Sequence, residues 1–309
     1  MRKNLSIICP VYNEEKSLKE FFKRIIFHTK KISNIQIVFI DDGSDDKSLS
    51  LIKSFSKKNN KIKYISFNRN YGHQSAILAG LENFDSNYYL IMDTDLQHDP
   101  KYIGNMYNLI QKKNTDLVQM SKTRNNDDGI FKFFTSKIFY KIFSKLNDIQ
   151  IDSGSSDFYI FTKSLRDKLI NISFGNNFLR GSVNWLSKNK VNIPYETSKR
   201  FAGKSSYTLT KQLLLGLPGL INFGSKLYLL FFKASILIAI LCLSYIGYIF
   251  YDFFNNGIGV EGWNSTIVII LFFGALQVLF FSIILYILHR IYILIGKKPD
   301  YIIRFKNSS

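Results

Sequence analysis

Short apolar runs alternate with helix-like segments through residues 1–120, and this alternation limits the possible folds more than any other feature. Five runs rich in β-forming residues are predicted to be strands: residues 5–9, 35–40, 62–67, 88–92 and 116–120. The segments between them are predicted to be helices: residues 14–29, 47–58, 75–83 and 101–112. Strands and helices at this spacing form βαβ units, so we expect an α/β, Rossmann-like domain with a mostly parallel sheet.

Polar residues gather where these predicted strands end. They occupy residues 10–14, Asp41-Asp42-Gly43-Ser44, residues 68–73 and Asp93-Thr94-Asp95. Ligands of open parallel sheets bind beyond the carboxyl ends of the strands. We therefore expect a ligand site along this edge of the sheet.

Asp93 and Asp95 directly follow a buried-strand pattern. In a strand, residues i and i+2 point to the same side, so these carboxylates can converge on one cation. Mg²⁺ suits such a pair, because it binds one or two carboxylates together with waters and phosphate oxygens. The alternative is that both acids only close the strand into a turn, with Asp99-Pro100 starting the next helix. This stretch alone does not decide between the two interpretations.

Two apolar segments, residues 229–250 and 266–288, are long enough to cross a bilayer, which takes about 20 residues. Neither carries a charge in its middle. The loop 252–265 contains two acids and no Lys or Arg, whereas basic residues follow the second segment. The positive-inside rule therefore predicts two transmembrane helices with both ends in the cytoplasm. Two buried core helices are the poorer alternative, since they would need a larger soluble shell.

Residues 131–146 have the pattern of a basic amphipathic helix, with apolar residues every four positions and lysines on another face. Such a helix lies in a membrane interface or, alternatively, packs as an ordinary surface helix. The chain has a net charge of +18, and eight Lys or Arg against one acid occur in residues 188–233. An anionic membrane surface accounts for this charge better than nucleic acid does, because no nucleic-acid-binding motif is present.

The two cysteines, Cys9 and Cys242, cannot form a disulfide framework, which fits a reducing compartment. Residues 1–4 run directly into a strand without the apolar core of a signal peptide. We therefore expect the first half of the chain to stay in the cytoplasm. Gly247 and Gly274 give a weak signal for helix packing, which leaves a homo-oligomer open.

Several motifs in this order resemble those of the family 2 glycosyltransferases with the GT-A fold. They are Ser-Ile-Ile-Cys-Pro-Val-Tyr-Asn-Glu-Glu at residues 6–15, Asp41-Asp42-Gly43-Ser44, Asn70-Tyr71-Gly72-His73 with Ala79-Gly80, and Met92-Asp93-Thr94-Asp95-Leu96-Gln97. More narrowly, Arg-Phe-Ala-Gly-Lys-Ser-Ser-Tyr at residues 200–207, followed by two spans, resembles the polyprenyl-phosphate glycosyltransferases. That group includes the bactoprenol glucosyltransferases and dolichol-phosphate mannose synthase.

The resemblance implies a domain order. We expect a cytoplasmic GT-A domain at residues 1–210, which includes the interfacial helix 131–146. A juxtamembrane segment at 211–228, a two-helix membrane region at 229–288 and a basic cytoplasmic tail at 289–309 would follow. Such a protein would be a multi-pass component of the inner, or cytoplasmic, cell membrane.

The resemblance also implies the chemistry. Asp93, Asp95 and Gln97 would hold Mg²⁺ or Mn²⁺, and Asp95 would be catalytic through that cation. Asp157 would be the catalytic carboxylate on the acceptor side, as a base or as a positioning group, with Asp152 as its alternative. A phosphate monoester is largely ionised at neutral pH, since its second pKa is about 6, so little proton abstraction is required.

Two further groups of residues are expected to bind substrate. The nucleotide would be held by Pro10, Tyr12, Glu14, Asp41, Asp42 and Asp93. For Asp41 and Asp42, ordinary turn chemistry at a strand end remains an alternative. Phosphates of donor or acceptor would be bound by Arg200, Lys204, Ser205, Arg124 and Arg180, with Lys122 as a further candidate. These basic residues can instead serve the membrane surface, and His73 lies near the donor or is structural.

The expected reaction moves one sugar from a nucleotide sugar, with UDP-glucose as first choice, to a polyprenyl phosphate, inverting the anomeric centre. A mannose-transferring or N-acetylhexosamine-transferring enzyme is the alternative within the same class. A processive polysaccharide synthase is disfavoured, because neither Trp185 nor Trp263 follows an Arg and two helices make no polymer channel. The third hypothesis is a non-catalytic membrane subunit that binds nucleotide sugars.

Overall fold

The computed structural model describes residues 3–112, 115–122, 155–171, 179–195 and 300–307, together with separate positions between 244 and 291. The chain divides into two compact units. The first unit comprises Met1–Ser225 and Pro299–Ser309, and the second comprises Lys226–Lys298. The predicted interfacial helix 131–146, the juxtamembrane segment 211–228 and most of the two predicted spans lie outside the described residues.

Strands and helices alternate in the first unit. Its first five strands and four helices are β1 Lys3–Val11, α1 Glu15–Thr29, β2 Ile35–Asp41, α2 Ser48–Lys58, β3 Ile62–Phe67, α3 His73–Asn83, β4 Ser86–Ile91, α4 Ile103–Lys112 and β5 Leu117–Lys122. A 3₁₀ turn, Pro100–Tyr102, precedes α4. The later elements are β6 Ser155–Thr162, α5 Lys163–Asn171, α6 Leu179–Leu186, β7 Lys190–Tyr195 and β8 Ile303–Asn307.

The strands form one sheet in the order β7-β5-β6-β4-β1-β2-β3-β8. Strand β1 pairs in parallel with β2 and β4, and β2–β3 and β5–β7 are also parallel. The antiparallel strands are β6, which lies between β4 and β5, and β8 at one edge. The predicted α/β class and the mostly parallel sheet are confirmed, and the predicted strands and helices begin and end within two residues of the observed ones.

Helices cover both faces of this sheet. Every residue of β2 is buried, as expected for a strand that is covered on both sides. Successive residues of β1 face opposite sides: Ile7 packs in the core with α1, α2 and α4, and Ile8 packs with α3, α5 and α6. This three-layer arrangement leaves the ends of the strands open to ligands.

Strand β8 returns to the first unit from the far end of the chain. It pairs antiparallel with β3, and Tyr301 just before it stacks on Phe67 at 5.1 Å between ring centroids. Further bonds join Lys306 Nζ to Asn83 Oδ1 at 3.0 Å and Asn307 Nδ2 to Ser56 Oγ at 2.8 Å. The domain boundary predicted at residue 210 therefore leaves out one strand, because a half-exposed, basic edge strand reads as a tail in the sequence.

The second unit is helical at each of its described positions. Many of its large apolar side chains are exposed: Tyr248, Tyr251, Phe254, Ile270, Phe273, Phe280, Phe281, Ile284, Leu288 and Ile291. Within the part of the chain that the structure describes, no helix meets the length and hydropathy of a membrane span.

Candidate active site

The candidate site lies along the edge where the parallel strands β1 to β4 end. Four loops meet this edge: residues 12–14 after β1, 42–47 after β2, 68–72 after β3 and 92–99 after β4. Such an edge is where ligands of doubly wound sheets bind. The structure thus places the polar clusters of the sequence on one side of the fold.

The loop after β4 turns sharply instead of continuing the strand. Strand β4 ends at Ile91, and Leu96 has a positive φ of 66°. The Asp95 carboxylate accepts a hydrogen bond from the Gln97 backbone N–H at 3.0 Å. The strand alternation that we used to predict convergence of Asp93 and Asp95 therefore does not apply here, because both residues lie beyond the strand.

The buried His98 side chain holds this loop against β6. The ring is only 3% exposed and stacks on Phe158 of β6 at 5.1 Å. Its Nδ1 accepts the backbone N–H of Asp93 at 3.1 Å, so the proton of a neutral ring lies on Nε2. Thr94 Oγ1 donates to the carbonyl of Pro10 at 3.4 Å. The loop is thus fixed to β6 and β1, with Asp95 buried and the Asp93 side chain 33% exposed.

The pairing of β6 with β4 brings Asp157 to the same edge of the sheet as the loop that carries Asp93. Ile91 lies opposite Tyr159 at the last pair of this antiparallel register, so the end of β4 and the start of β6, which carries Asp157, lie at the same edge of the sheet. The Asp157 side chain is 12% exposed. Two carboxylates from distant parts of the sequence therefore lie at this edge of the sheet.

His73 lies between these two carboxylates. Its Nε2 is 3.6 Å from Asp93 Oδ1 and 4.0 Å from Asp157 Oδ2. The sequence marked His73 only as a residue near the donor or a structural one at a helix start. The missing signal was three-dimensional, because the contact depends on the insertion of β6 beside β4.

The Asp41 and Asp42 carboxylates are buried and bonded to neighbouring loops. Asp42 accepts the backbone N–H groups of Tyr71 at 2.6 Å and Gly72 at 2.9 Å. Asp41 accepts the Ser66 hydroxyl at 2.8 Å and the Ser44 N–H at 3.2 Å. Burial raises the pKa of both carboxyls, and these hydrogen bonds offset part of the rise. Their turn-stabilising role is therefore visible, and their role in binding a nucleotide stays a prediction.

The first loop presents one aromatic side chain to solvent. Tyr12 is 45% exposed at the end of β1, whereas Pro10 is buried within that strand. The Glu14 carboxylate accepts the Ser17 hydroxyl at 2.6 Å, at the start of α1. Asn13, with a positive φ of 56°, receives the Asp45 N–H on its side-chain oxygen at 2.9 Å. The loops after β1 and β2 are thus bonded to each other.

The family model for Glycosyl transferase family 2 matches residues 6–172. The chain belongs to this family. Two chains of Bacillus subtilis (strain 168) with glycosyltransferase names, CsbB and YkcC, are 33% and 32% identical over 98% and 97% of this chain, and over 92% and 93% of their own lengths. The bactoprenol glucosyl transferase of Shigella phage SfII is 29% identical over 97% of each chain.

Solved structures show the same fold. The mannosyl-3-phosphoglycerate synthase from Rubrobacter xylanophilus superposes with a TM-score of 0.51 at 14% identity, over 71% of this chain and 72% of that chain. The glucosyl-3-phosphoglycerate synthase from Mycobacterium tuberculosis gives 0.50 at 14% identity, over 72% and 80%. This family 2 glycosyltransferase therefore has a GT-A-like α/β fold.

The structure describes only some of the predicted phosphate-binding residues of this family 2 glycosyltransferase. Arg180 is the second residue of α6, and Lys122 is the last residue of β5. Arg124, Asp152, Arg200, Lys204 and Ser205 lie outside the described residues. Their part in the site stays a prediction.

The donor atoms in the loop after β4 fit a hard cation. Asp93 and Asp95 offer carboxylate oxygens, which suit Mg²⁺ or Mn²⁺ when substrate phosphates and waters complete the shell. Among the described residues, no group of three or more His, Cys, Asp or Glu side chains is arranged to hold a metal ion by itself.

Proposed function

We propose that this family 2 glycosyltransferase transfers a sugar from a nucleotide-sugar donor to a polyprenyl phosphate at the cytoplasmic membrane face, inverting the anomeric carbon. The observation that carries the proposal is that Asp93 and Asp157 both lie within 4.0 Å of His73 Nε2, at the sheet edge where ligands of such folds bind. A donor and an acceptor must approach one another at such a point. Similarity over 97% of the chain to proteins named bactoprenol glucosyl transferases supports a polyprenyl acceptor.

On the donor side, Asp93, Asp95 and Gln97 would bind Mg²⁺ or Mn²⁺. The bound cation would neutralise the negative charge that develops on the departing nucleoside diphosphate. Tyr12, as the exposed aromatic at the end of β1, would contact the nucleoside. Pro10, Glu14, Asp41 and Asp42 would shape this pocket, the last two chiefly by holding its loops.

On the acceptor side, Asp157 would orient the lipid phosphate. An oxygen of that phosphate attacks C1 of the sugar, the new C1–O bond forms, and the bond from C1 to the diphosphate oxygen breaks. No strong base is needed, because the acceptor phosphate, with a second pKa of about 6, is already largely ionised. Arg124, Arg180, Arg200, Lys204 and Ser205 would bind the phosphates through charge-assisted hydrogen bonds.

A membrane anchor would bring the lipid to this site. We propose that residues 229–250 and 266–288 cross the bilayer and that residues 131–146 lie in its interface. The exposed apolar side chains of the second unit support this, since such surfaces are costly in water at about 25 cal/mol per Å². The return of β8 to the sheet fits two spans rather than one, because a chain that leaves the first unit after Ser225 and re-enters it at Pro299 can cross a membrane only an even number of times.

Glucose is the first choice of sugar because of the names of the relatives, with mannose and N-acetylhexosamine as alternatives. A polyprenyl-phosphate sugar formed this way would serve the assembly of cell-envelope glycans. A processive synthase and a non-catalytic subunit remain the rival functions, and neither is favoured by an observation on the described residues.

The test incubates the purified full-length protein with a polyprenyl phosphate, Mn²⁺ and a panel of labelled nucleotide sugars, followed by extraction into organic solvent. We expect label from one donor to enter the lipid phase as a single-sugar product. Asp95→Ala should abolish transfer without loss of membrane insertion, whereas Asp167→Ala, on the outer surface of α5, should leave transfer unchanged. A wild-type protein that labels no lipid with any donor would overturn the proposal.

A further inference from the structure

We propose that His73 is a positioning residue, which holds Asp157 in the orientation needed for the acceptor by donating its Nε2 hydrogen to that carboxylate once the donor complex engages Asp93. The inference rests on the proposed function and names a residue that the motifs did not assign. It is carried by the place of Nε2 between Asp93 and Asp157, at 3.6 Å and 4.0 Å.

The first step is the choice of tautomer in the neutral His73 ring. Nε2 of His73 is shielded from solvent and makes no hydrogen bond among the described residues. A deprotonated Nε2 would point its lone pair at two carboxylates, so the proton must lie on Nε2 in the neutral ring. The ring therefore offers one N–H donor to two acceptors.

The second step is geometric. Both distances exceed the usual N–H···O range of about 2.7 to 3.2 Å, and a shift of less than 1 Å is enough to close either contact. A single N–H can bond well to only one carboxylate at a time. When the donor complex engages Asp93, the N–H remains available for Asp157, so donor binding would orient the acceptor-side carboxylate.

The third step is the rigidity of the backbone that carries His73. Asp42 binds the N–H groups of Tyr71 and Gly72, the two residues immediately before it. Gly72 has a φ of 99°, a conformation that favours glycine, and its carbonyl accepts the Ala76 N–H at 3.1 Å to start α3. The buried Asp42 carboxylate thus holds the loop that positions the His73 imidazole.

The experiment compares His73→Leu, which removes the N–H, with His73→Gln, whose side-chain amide offers an N–H at similar reach. Transfer kinetics are measured for donor and acceptor separately, and UDP binding with Mn²⁺ is measured by calorimetry. We expect His73→Leu to lower kcat about 100-fold, the scale of a 1 Å misplacement, with UDP affinity within about threefold of wild type. His73→Gln should recover at least about tenfold of the loss.

A double variant tests whether His73 acts through Asp157. If it does, His73→Leu combined with Asp157→Asn should be no slower than Asp157→Asn alone, because effects within one unit are not additive. His28→Leu, in the last turn of α1 and outside the candidate site, is the matched control and should retain wild-type rates.

Three outcomes would overturn the inference: His73→Leu with wild-type kinetics, His73→Gln as slow as His73→Leu, or multiplied losses in the double variant. A variant that loses rate and UDP affinity together, with a lower thermal midpoint, would assign His73 a merely structural role. Wild-type protein that transfers no sugar to lipid would instead defeat the proposed function, so the two failures are distinguishable.

Discussion

Asp41 is a buried carboxylate that stabilises the loop after β2. Its carboxylate is almost fully buried and accepts hydrogen bonds from Ser66 and Ser44. Burial disfavours the charged form, and this raises the pKa of Asp41 above its ordinary value of 3.8. The loop after β2 therefore depends on a carboxylate that costs stability whenever it is ionised.

This raised pKa predicts a pH effect on stability. The folded protein binds the Asp41 proton more tightly than the unfolded chain does, so the stabilising contribution is complete below pH 3.8 and is lost as pH rises through the raised pKa. In Asp41→Asn this loss should disappear. Thermal midpoints of the detergent-solubilised protein between about pH 4 and 7 should fall less steeply for Asp41→Asn than for wild type.

Asp167→Asn is the control for that series, because its side chain is 45% exposed. Parallel curves for wild type and Asp41→Asn would contradict the assignment of the pH effect to Asp41.

A second prediction at the scale of single residues concerns the effect of Gly43→Ala on stability. Its φ is +68°, and an added Cβ would lie 2.3 Å from the carbonyl carbon of Arg69. We expect Gly43→Ala to destabilise the protein by at least about 2 kcal/mol, since both strain and a backbone clash would have to be relieved. Gly104→Ala in α4 is the matched control, because nothing lies within 4 Å of its added Cβ.

Chemical or thermal unfolding of the two glycine variants in detergent measures this difference. Gly104→Ala should be neutral or more stable by up to about 1 kcal/mol, because alanine favours helix. Equal stabilities for Gly43→Ala and wild type would show that the loops after β2 and β3 can separate without cost.

At the scale of elements, the alternating apolar runs of residues 1–120 predict β1 to β5, whereas β7 and β8 carry no such run. Strands β1 to β5 are mostly buried, and their runs of Ile, Val, Leu and Phe were sufficient to predict them. Strand β7 contains Pro194 at a sheet edge, and β8 exposes basic residues, so neither carries an apolar run. These two strands are defined by their pairing with β5 and β3, which are distant in the sequence, and not by their composition.

The same limit applies to the site. Asp93, Asp95 and Asp157 are each predicted as functional residues, but the position of Asp93 and Asp157 around His73 depends on the antiparallel insertion of β6 beside β4. Strand alternation predicted a converging pair at Asp93 and Asp95, and the positive φ of Leu96 instead makes this stretch a turn. His73 acquires its neighbours only in three dimensions.

The attachment of β8 predicts an element-scale effect. Tyr301 stacks on Phe67 and its hydroxyl bonds to Glu82 and Asn83. Tyr301→Ala should destabilise the pairing of β8 with β3 by about 2 kcal/mol, whereas Tyr301→Phe keeps the stacked ring and should cost about 1 kcal/mol. Hydrogen exchange followed by mass spectrometry should show faster exchange in β3 and β8 of Tyr301→Ala.

Peptides from β1 provide the internal reference for that exchange experiment, because β1 lies in the centre of the sheet. Unchanged exchange of β8 in Tyr301→Ala would mean that the backbone pairing alone holds this strand.

At the scale of the whole molecule, the net charge of +18 and the two apolar segments are the basis of the proposed location at a membrane with an anionic inner surface. The first unit contains both the start of the described chain and its last strand. The proposed arrangement therefore puts residues 3–195 and 300–307 on one side of the bilayer and the loop 252–265 on the other.

Cysteine labelling tests this arrangement. In a chain with Cys9→Ala and Cys242→Ala, a cysteine from Asn256→Cys should react with an impermeant maleimide on intact spheroplasts. A cysteine from Asn59→Cys, after α2, should react only after the membrane is opened. Equal labelling of both sites in intact spheroplasts would contradict the proposed topology.

The late position of β8 also sets the order in which the protein is made. When the ribosome has completed β7, the outer edge of β3 is still bare, and the strand that covers it follows more than 100 residues later. An uncovered strand edge is a template for aggregation. The first unit is thus finished only after residues 226–298 have been synthesised, so a chain that stops before them is left with an open sheet that proteases and chaperones can recognise.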